Sequence, residues 1–98
     1  MLYRDAEFEW ETEKAEINVG KHGISFEEAS RAFDDPHAVE IFDEEHSIDE
    51  ARYQLIGFSD RRMLFVVFTL RDERKRIIHA RRATKSMERF YVEQNPQL

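Results

Sequence analysis

Met63-Leu64-Phe65-Val66-Val67-Phe68-Thr69-Leu70, a polar turn over 71–75, then Arg76-Ile77-Ile78-His79-Ala80-Arg81-Arg82: this stretch decides the fold. Side chains alternate across a strand, so Met63, Phe65 and Val67 point one way while Leu64, Val66 and Phe68 point the other. Both sets are apolar, and a strand apolar on both faces lies inside a sheet that is covered on both sides. The turns at 59–62 and 71–75 are short, which makes the neighbouring strands antiparallel. Upstream, 52–58 and Val39-Glu40-Ile41-Phe42 read as further strands, joined by the acidic loop 43–50 that contains His46. The second half of the chain is therefore an antiparallel meander.

The first half reads as helical cover. Phe8 and Trp10 alternate with carboxylates as in a short strand. Thr12 can cap a helix running to His22-Gly23, with Ala15, Ile17 and Val19 as a thin apolar face. Ser25 followed by Glu28 is a capping box, with Ile24 positioned to staple onto Ala29; Phe26, Ala29 and Phe33 share the apolar face of this second helix. Asp35-Pro36 ends it, because the residue before proline avoids helical dihedrals. Thr84 can cap a last helix from Lys85 to about Glu93. The expected architecture is α+β: a four- to five-stranded antiparallel sheet, an N-terminal two-helix hairpin on one face and a C-terminal helix. The short last helix leaves part of its face as a shallow apolar groove rimmed by arginines, suited to a partner's helix or extended segment.

With 98 residues, no Cys, 3 Gly and 2 Pro, the chain is expected to be a single domain over 1–98. The lack of Cys removes disulfides, thiolate metal sites and cysteine nucleophiles. No apolar run approaches the roughly 18 residues a membrane span needs, and the start lacks a signal-like apolar segment, so a cytoplasmic protein without membrane contact is expected. The formal charge is −6, but residues 61–91 hold ten basic side chains against Asp72, Glu73 and Glu88. That segment carries +7 and the rest of the chain −13. Such polarity offers one face to phosphate and another to a basic partner. Neither a metal-ligand spacing nor a phosphate-binding Gly-rich loop is present, so no cofactor is expected.

Several fragments together are similar to the BrnT family of bacterial toxins. They are Phe8-Glu9-Trp10, Lys14, Asn18, Lys21-His22-Gly23-Ile24-Ser25-Phe26-Glu27-Glu28-Ala29 and Phe33-Asp34-Asp35-Pro36. Arg52, Ile56-Gly57, the apolar strand, Ile77-Ile78-His79-Ala80-Arg81-Arg82-Ala83-Thr84, Glu88-Arg89 and Tyr91 follow in order. The resemblance implies a ribonuclease toxin of RelE-like fold in a type II toxin–antitoxin system, cleaving cellular RNA and inhibiting translation. It also implies a cognate BrnA-like ribbon-helix-helix antitoxin as partner, with the pair repressing its own operon; operator DNA would be reached only through the antitoxin. One position departs: the family usually has Ser where this chain has His79, which either adds a titratable group to the site or fills part of it. The alternative reading is a degenerate toxin, a non-catalytic module that binds antitoxin and co-represses.

RNA cleavage can use the substrate's own 2′-hydroxyl as nucleophile, given a base, an acid and cations for the charge developing on phosphorus. Arg52 and Arg81 are expected on phosphate, since a guanidinium donates two parallel hydrogen bonds. His79 and Glu88 are expected in proton transfer, with Tyr91 assisting, and Lys21, His22 and Arg82 in substrate binding. Strict alternation puts Ile77, His79 and Arg81 on the open face and Ile78, Ala80 and Arg82 toward the helical hairpin. Each residue also has a structural reading. Arg81 can pair with Glu88, and Arg52 with the acidic loop. Lys21 and His22 can serve the carbonyls of a helix C-terminus. Arg82 can anchor a helix, and Tyr91 can be a core aromatic.

Overall fold

The computed structural model describes every residue, Met1–Leu98. Two strands come first, β1 (Leu2–Arg4) and β2 (Phe8–Glu11), then the helices α1 (Thr12–His22) and α2 (Phe26–Arg31) and a 3-10 turn, Ala32–Asp34. There follow β3 (Val39–Phe42), β4 (Arg52–Phe58), β5 (Met63–Arg71), β6 (Arg74–Arg82) and α3 (Lys85–Gln94). The sheet order is β1-β2-β6-β5-β4-β3, and every pair is antiparallel except β2 with β6. No helix is long and apolar enough to cross a membrane.

The sheet differs from the expected four- to five-stranded antiparallel one. It has six strands and is mixed, and two strands precede the helices, so the helices do not open the chain. The reason lies in β2. Phe8, Glu9 and Trp10 are all buried, so this strand needs a neighbour on each side. Tyr3 of β1 stacks on Trp10, ring centroids 4.2 Å apart. On the other side, the 2 %-exposed Glu9 takes a 2.6 Å bond from Arg76 Nη1 of β6. A buried carboxylate without such a partner would be strongly destabilising, and this pairing draws β2 onto β6.

β5 is covered on both sides. Leu64, Val66 and Phe68 pack with Leu55, Ile77 and Ala80 beneath Ile24, Phe26, Ala29 and Ala32. On the opposite face Ile56, Phe65 and Tyr91 form a smaller cluster with Met63, Val67, Met87 and Phe90 of β5 and α3. Each fully buried Leu, Ile, Val or Phe among them is worth about 1.5–3 kcal/mol. The turn between the helices uses Gly23 at φ 68°, and Ser25 Oγ caps α2 by accepting from Glu28 N at 3.0 Å. Glu28 itself turns inward. At 3 % exposure its carboxylate accepts from Arg62 Nε at 2.9 Å, Arg62 Nη2 at 2.8 Å and Ser59 Oγ at 2.8 Å.

Two local expectations also change. Ile17 and Val19 of α1 are exposed, and Asn18 is that helix's buried residue. In β6, a register shift between Val67 and Phe68 puts Phe68 opposite Ile77 while Val67 faces His79. Ile77 joins Ala80 in the core beneath the helices, and Ile78 turns out beside His79. The extra residue of a bulge breaks strict alternation, so the assignment of Ile78 to the helical side and Ile77 to the open side fails.

Gly57 marks a close approach of β4 to the 3-10 turn. A Cβ there would lie 2.6 Å from Ala32 O, a backbone atom that cannot rotate away. Gly57→Ala is expected to destabilise by about 1–3 kcal/mol, measured by denaturant unfolding. An unchanged midpoint would show that the turn shifts freely.

Candidate functional site

β2 pairs with β6 only at Phe8–Lys75 and Glu9–Arg76. Beyond Arg76 the outer edge of β6 meets α1 instead. Asn18 makes the junction: its Nδ2 donates to Ala80 O at 2.8 Å and to Ile24 O at 2.9 Å, and its Oδ1 accepts from Ala80 N at 3.2 Å. Lys14, Asn18 and His22 fall at successive four-residue steps, so they form one stripe along the helix. Against β6 that stripe makes a pocket of about 170 Å³, lined by Lys14, Ile17, Asn18, Lys21, His22, Ile78 and His79.

At its mouth the rings of His22 and His79 meet edge to face, centroids 4.9 Å apart. His79 is held below the ordinary histidine value, first by burial, then by the charges of His22, Arg81 and Lys21. At neutral pH the His79 imidazole is therefore uncharged and able to accept a proton. Arg81 lies two residues on, opposite Phe65, with its guanidinium 4.7 Å from that ring's centroid. It forms no ion pair with Glu88 or any other carboxylate, whereas Arg62 and Arg71 are each engaged by one and Arg76 by two. The site thus combines two imidazoles, two lysines and a free guanidinium.

The remaining candidates lie apart. Arg52 begins β4 and lines a separate depression of about 310 Å³ with His46, Ile48, Asp49 and Glu50. In that depression the Asp43 carboxylate holds His46 Nδ1 at 3.0 Å. Tyr91 is buried, and its hydroxyl donates to Asp35 Oδ2 at 2.7 Å. Burial, then Asp35, pushes the Tyr91 hydroxyl up to about 12. Asp35 also accepts from the backbone N–H groups of Phe58 and His37, so this bond ties α3 to the turn before β3. Glu88 is exposed on the outer side of α3 beside Lys85, Arg89, Val92 and Glu93. Arg82, at the end of β6, is exposed and unpaired.

Lys14 and Asn18 enter the site although no chemical role is legible for them one residue at a time. Their four-residue spacing to His22 is the signal that places all three on one stripe. No group of three or more His, Cys, Asp or Glu side chains gathers as a metal-ligand set. Residues 10–86 match a family model described as ribonuclease toxin, BrnT, of type II toxin–antitoxin system. No curated protein matches the chain.

Proposed function

Since the chain belongs to the BrnT family of ribonuclease toxins of type II toxin–antitoxin systems, we propose that the pocket between α1 and β6 is where it cuts RNA. The observation that carries this reading is the His22–His79 pair among uncompensated cations. Neutral His79 takes the proton of the ribose 2′-hydroxyl, whose oxygen then bonds to the adjacent phosphorus. The bond from phosphorus to the 5′-oxygen breaks, and His22 supplies a proton to that leaving oxygen. The products are a 2′,3′-cyclic phosphate and a free 5′-hydroxyl. Arg81 and Lys21 stabilise the charge on the phosphoryl oxygens as it develops, with Lys14 adding to the field. Arg52, on the same side of the sheet by register, contacts a phosphate further along the strand. Tyr91 acts by holding α3 in place, and Glu88 stays at the rim.

Family likeness supports the wider reading. The chain cleaves cellular RNA, translation falls, and a BrnA-like ribbon-helix-helix antitoxin neutralises it; the complex represses its operon through the antitoxin's contact with operator DNA. The test is 5′-end mapping of cellular RNA after the chain is expressed alone, beside an Arg52→Ala/Arg81→Ala double variant. New ends confined to the wild type are the expected result. No new ends from soluble, folded protein would favour a non-catalytic partner of the antitoxin.

The direction of the His79 shift sets the pH dependence. A base must be unprotonated, so cleavage falls as pH drops through a value below the ordinary histidine value of about 6.5. His79→Ser, which also restores the residue common in the family, is expected to flatten that acid limb between pH 5 and 8. An unchanged profile returns His79 to a structural role. Cleavage should also weaken as salt rises, because counterions compete for the arginines.

A further inference from the structure

We propose that Asn18 is the positioning residue of the histidine pair, its side-chain amide standing in for a neighbouring strand at Ala80 and so setting the separation of His22 and His79. The catalytic half of the proposal rests on the ribonuclease reading above; the structural half does not. An amide side chain presents one donor and one acceptor side by side, as a peptide group does. Asn18 uses both on the N–H and C=O of Ala80, which β2 leaves without a strand partner. Its second amide hydrogen goes to Ile24 O, which fixes the turn that ends α1. His22 lies one helical turn beyond Asn18, and His79 immediately precedes Ala80. Each imidazole is therefore one step from the clamp.

The side-chain hydrogen bonds between α1 and β6 are all made by Asn18, while Ala15 packs against the core beside it. Asn18 is 5 % exposed and is the buried residue of α1, while Ile17 and Val19 face solvent at 57 % and 48 %. Releasing the amide would let the cationic end of α1 drift from β6. The charged groups facing His79 are His22, Lys21 and Lys14 from α1 and Arg81 from its own strand, and β5 presents the apolar Val67. Moving α1 away therefore removes His22, Lys21 and Lys14 from beside His79 and exposes it to water. Both changes make it easier to protonate. Misplacement of a reacting group by about 1 Å is enough to lower a rate by about 100-fold.

The test compares wild type with Asn18→Leu, which keeps the buried volume but cannot hydrogen-bond, and with Asn18→Ala. Two quantities are followed: the titration of His79 by NMR, and cleavage of an RNA oligonucleotide between pH 5 and 8. Folded variants are expected to lose about 10- to 100-fold in kcat with KM nearly unchanged. Their His79 midpoint is expected to rise in the same direction as in His22→Ala. A kcat equal to wild type, or a loss of kcat with the His79 midpoint unmoved, would overturn the positioning role. If neither variant folds, hydrogen exchange on the wild type decides. The Asn18 side-chain amide and Ala80 N–H must both be protected, and rapid exchange of either overturns the clamp. A wild-type chain that cuts no RNA would sink the catalytic reading alone, because the titration still reports on the clamp.

Discussion

Replacing His22 and His79 together by Ala is expected to abolish RNA cleavage while leaving the protein folded. General acid and base groups typically contribute about 10²–10⁴-fold each. His22 is exposed and His79 half-buried, and neither makes a hydrogen bond on which the core depends. If, as proposed, the two act on one phosphodiester, His22→Ala alone should remove most of the rate and the double variant little more. The measurement is single-turnover cleavage of an RNA oligonucleotide near pH 7, with circular dichroism to confirm the fold. A folded double variant within threefold of wild type would move the chemistry elsewhere, the Arg52–His46 depression being the next candidate.

The largest effect on stability is expected from Arg62→Ala. Its guanidinium meets the buried Glu28 carboxylate through two bonds and also donates to Gly23 O at 3.1 Å. This contact, opposed by burial and aided by Ser59, holds the Glu28 carboxyl at about 2. Removing the arginine strands a buried charge, which costs about 3–5 kcal/mol. For a domain of this size that lowers Tm by at least roughly 12 °C. The pH dependence has a definite sign. Glu28 has a lower pKa folded than unfolded, so its contribution is complete above about 4.5 and is lost as pH falls from there toward 2. A shift of this size corresponds to about 3 kcal/mol. The gap between wild type and Arg62→Ala should therefore narrow in acid, followed by thermal unfolding from pH 7 to pH 3. A gap that is constant over that range would assign the loss to packing of the arginine stem instead.

How legible each feature is depends on how far away its physical cause lies. The strands Val39–Phe42 and Arg52–Phe58 have the bounds their residue pattern implies, because alternation and turn chemistry act within a few residues. The caps at Ser25 and Thr84 form as expected, each accepting from the backbone N–H three residues on. The Ser25–Glu28 spacing marks the helix start correctly, yet the Glu28 carboxylate is recruited by an arginine 34 residues away. The thin apolar face assigned to α1 is the opposite case. Ile17 and Val19 suggest burial by hydropathy, but a strand edge with unpaired polar groups selects Asn18 in their place.

The site divides along the same line. His79 and Arg81 are marked by their place on β6, two apart and thus on one side. The partnership of His79 with His22 is not marked, since it depends on α1 docking where β2 departs. Glu88 and Tyr91 share a helix with regular spacing, but a helix can rotate about its axis, and packing on Phe65 and the bond to Asp35 decide its orientation.

By itself, the amino-acid sequence determined the family, the α+β character, the doubly apolar central strand, the helix caps at Ser25 and Thr84 and the segregation of positive charge into residues 61–91. Those properties follow from local periodicity, capping chemistry and composition. Tertiary structure alone decided that β2 joins β6 in parallel, that β6 slips register beside Val67, and that an asparagine amide closes the open edge. The Arg76–Glu9 contact spans 67 residues and the Asn18–Ala80 contact 62. Burial of a charge or an unpaired peptide group demands a partner, but which distant residue supplies it is settled only when the layers pack.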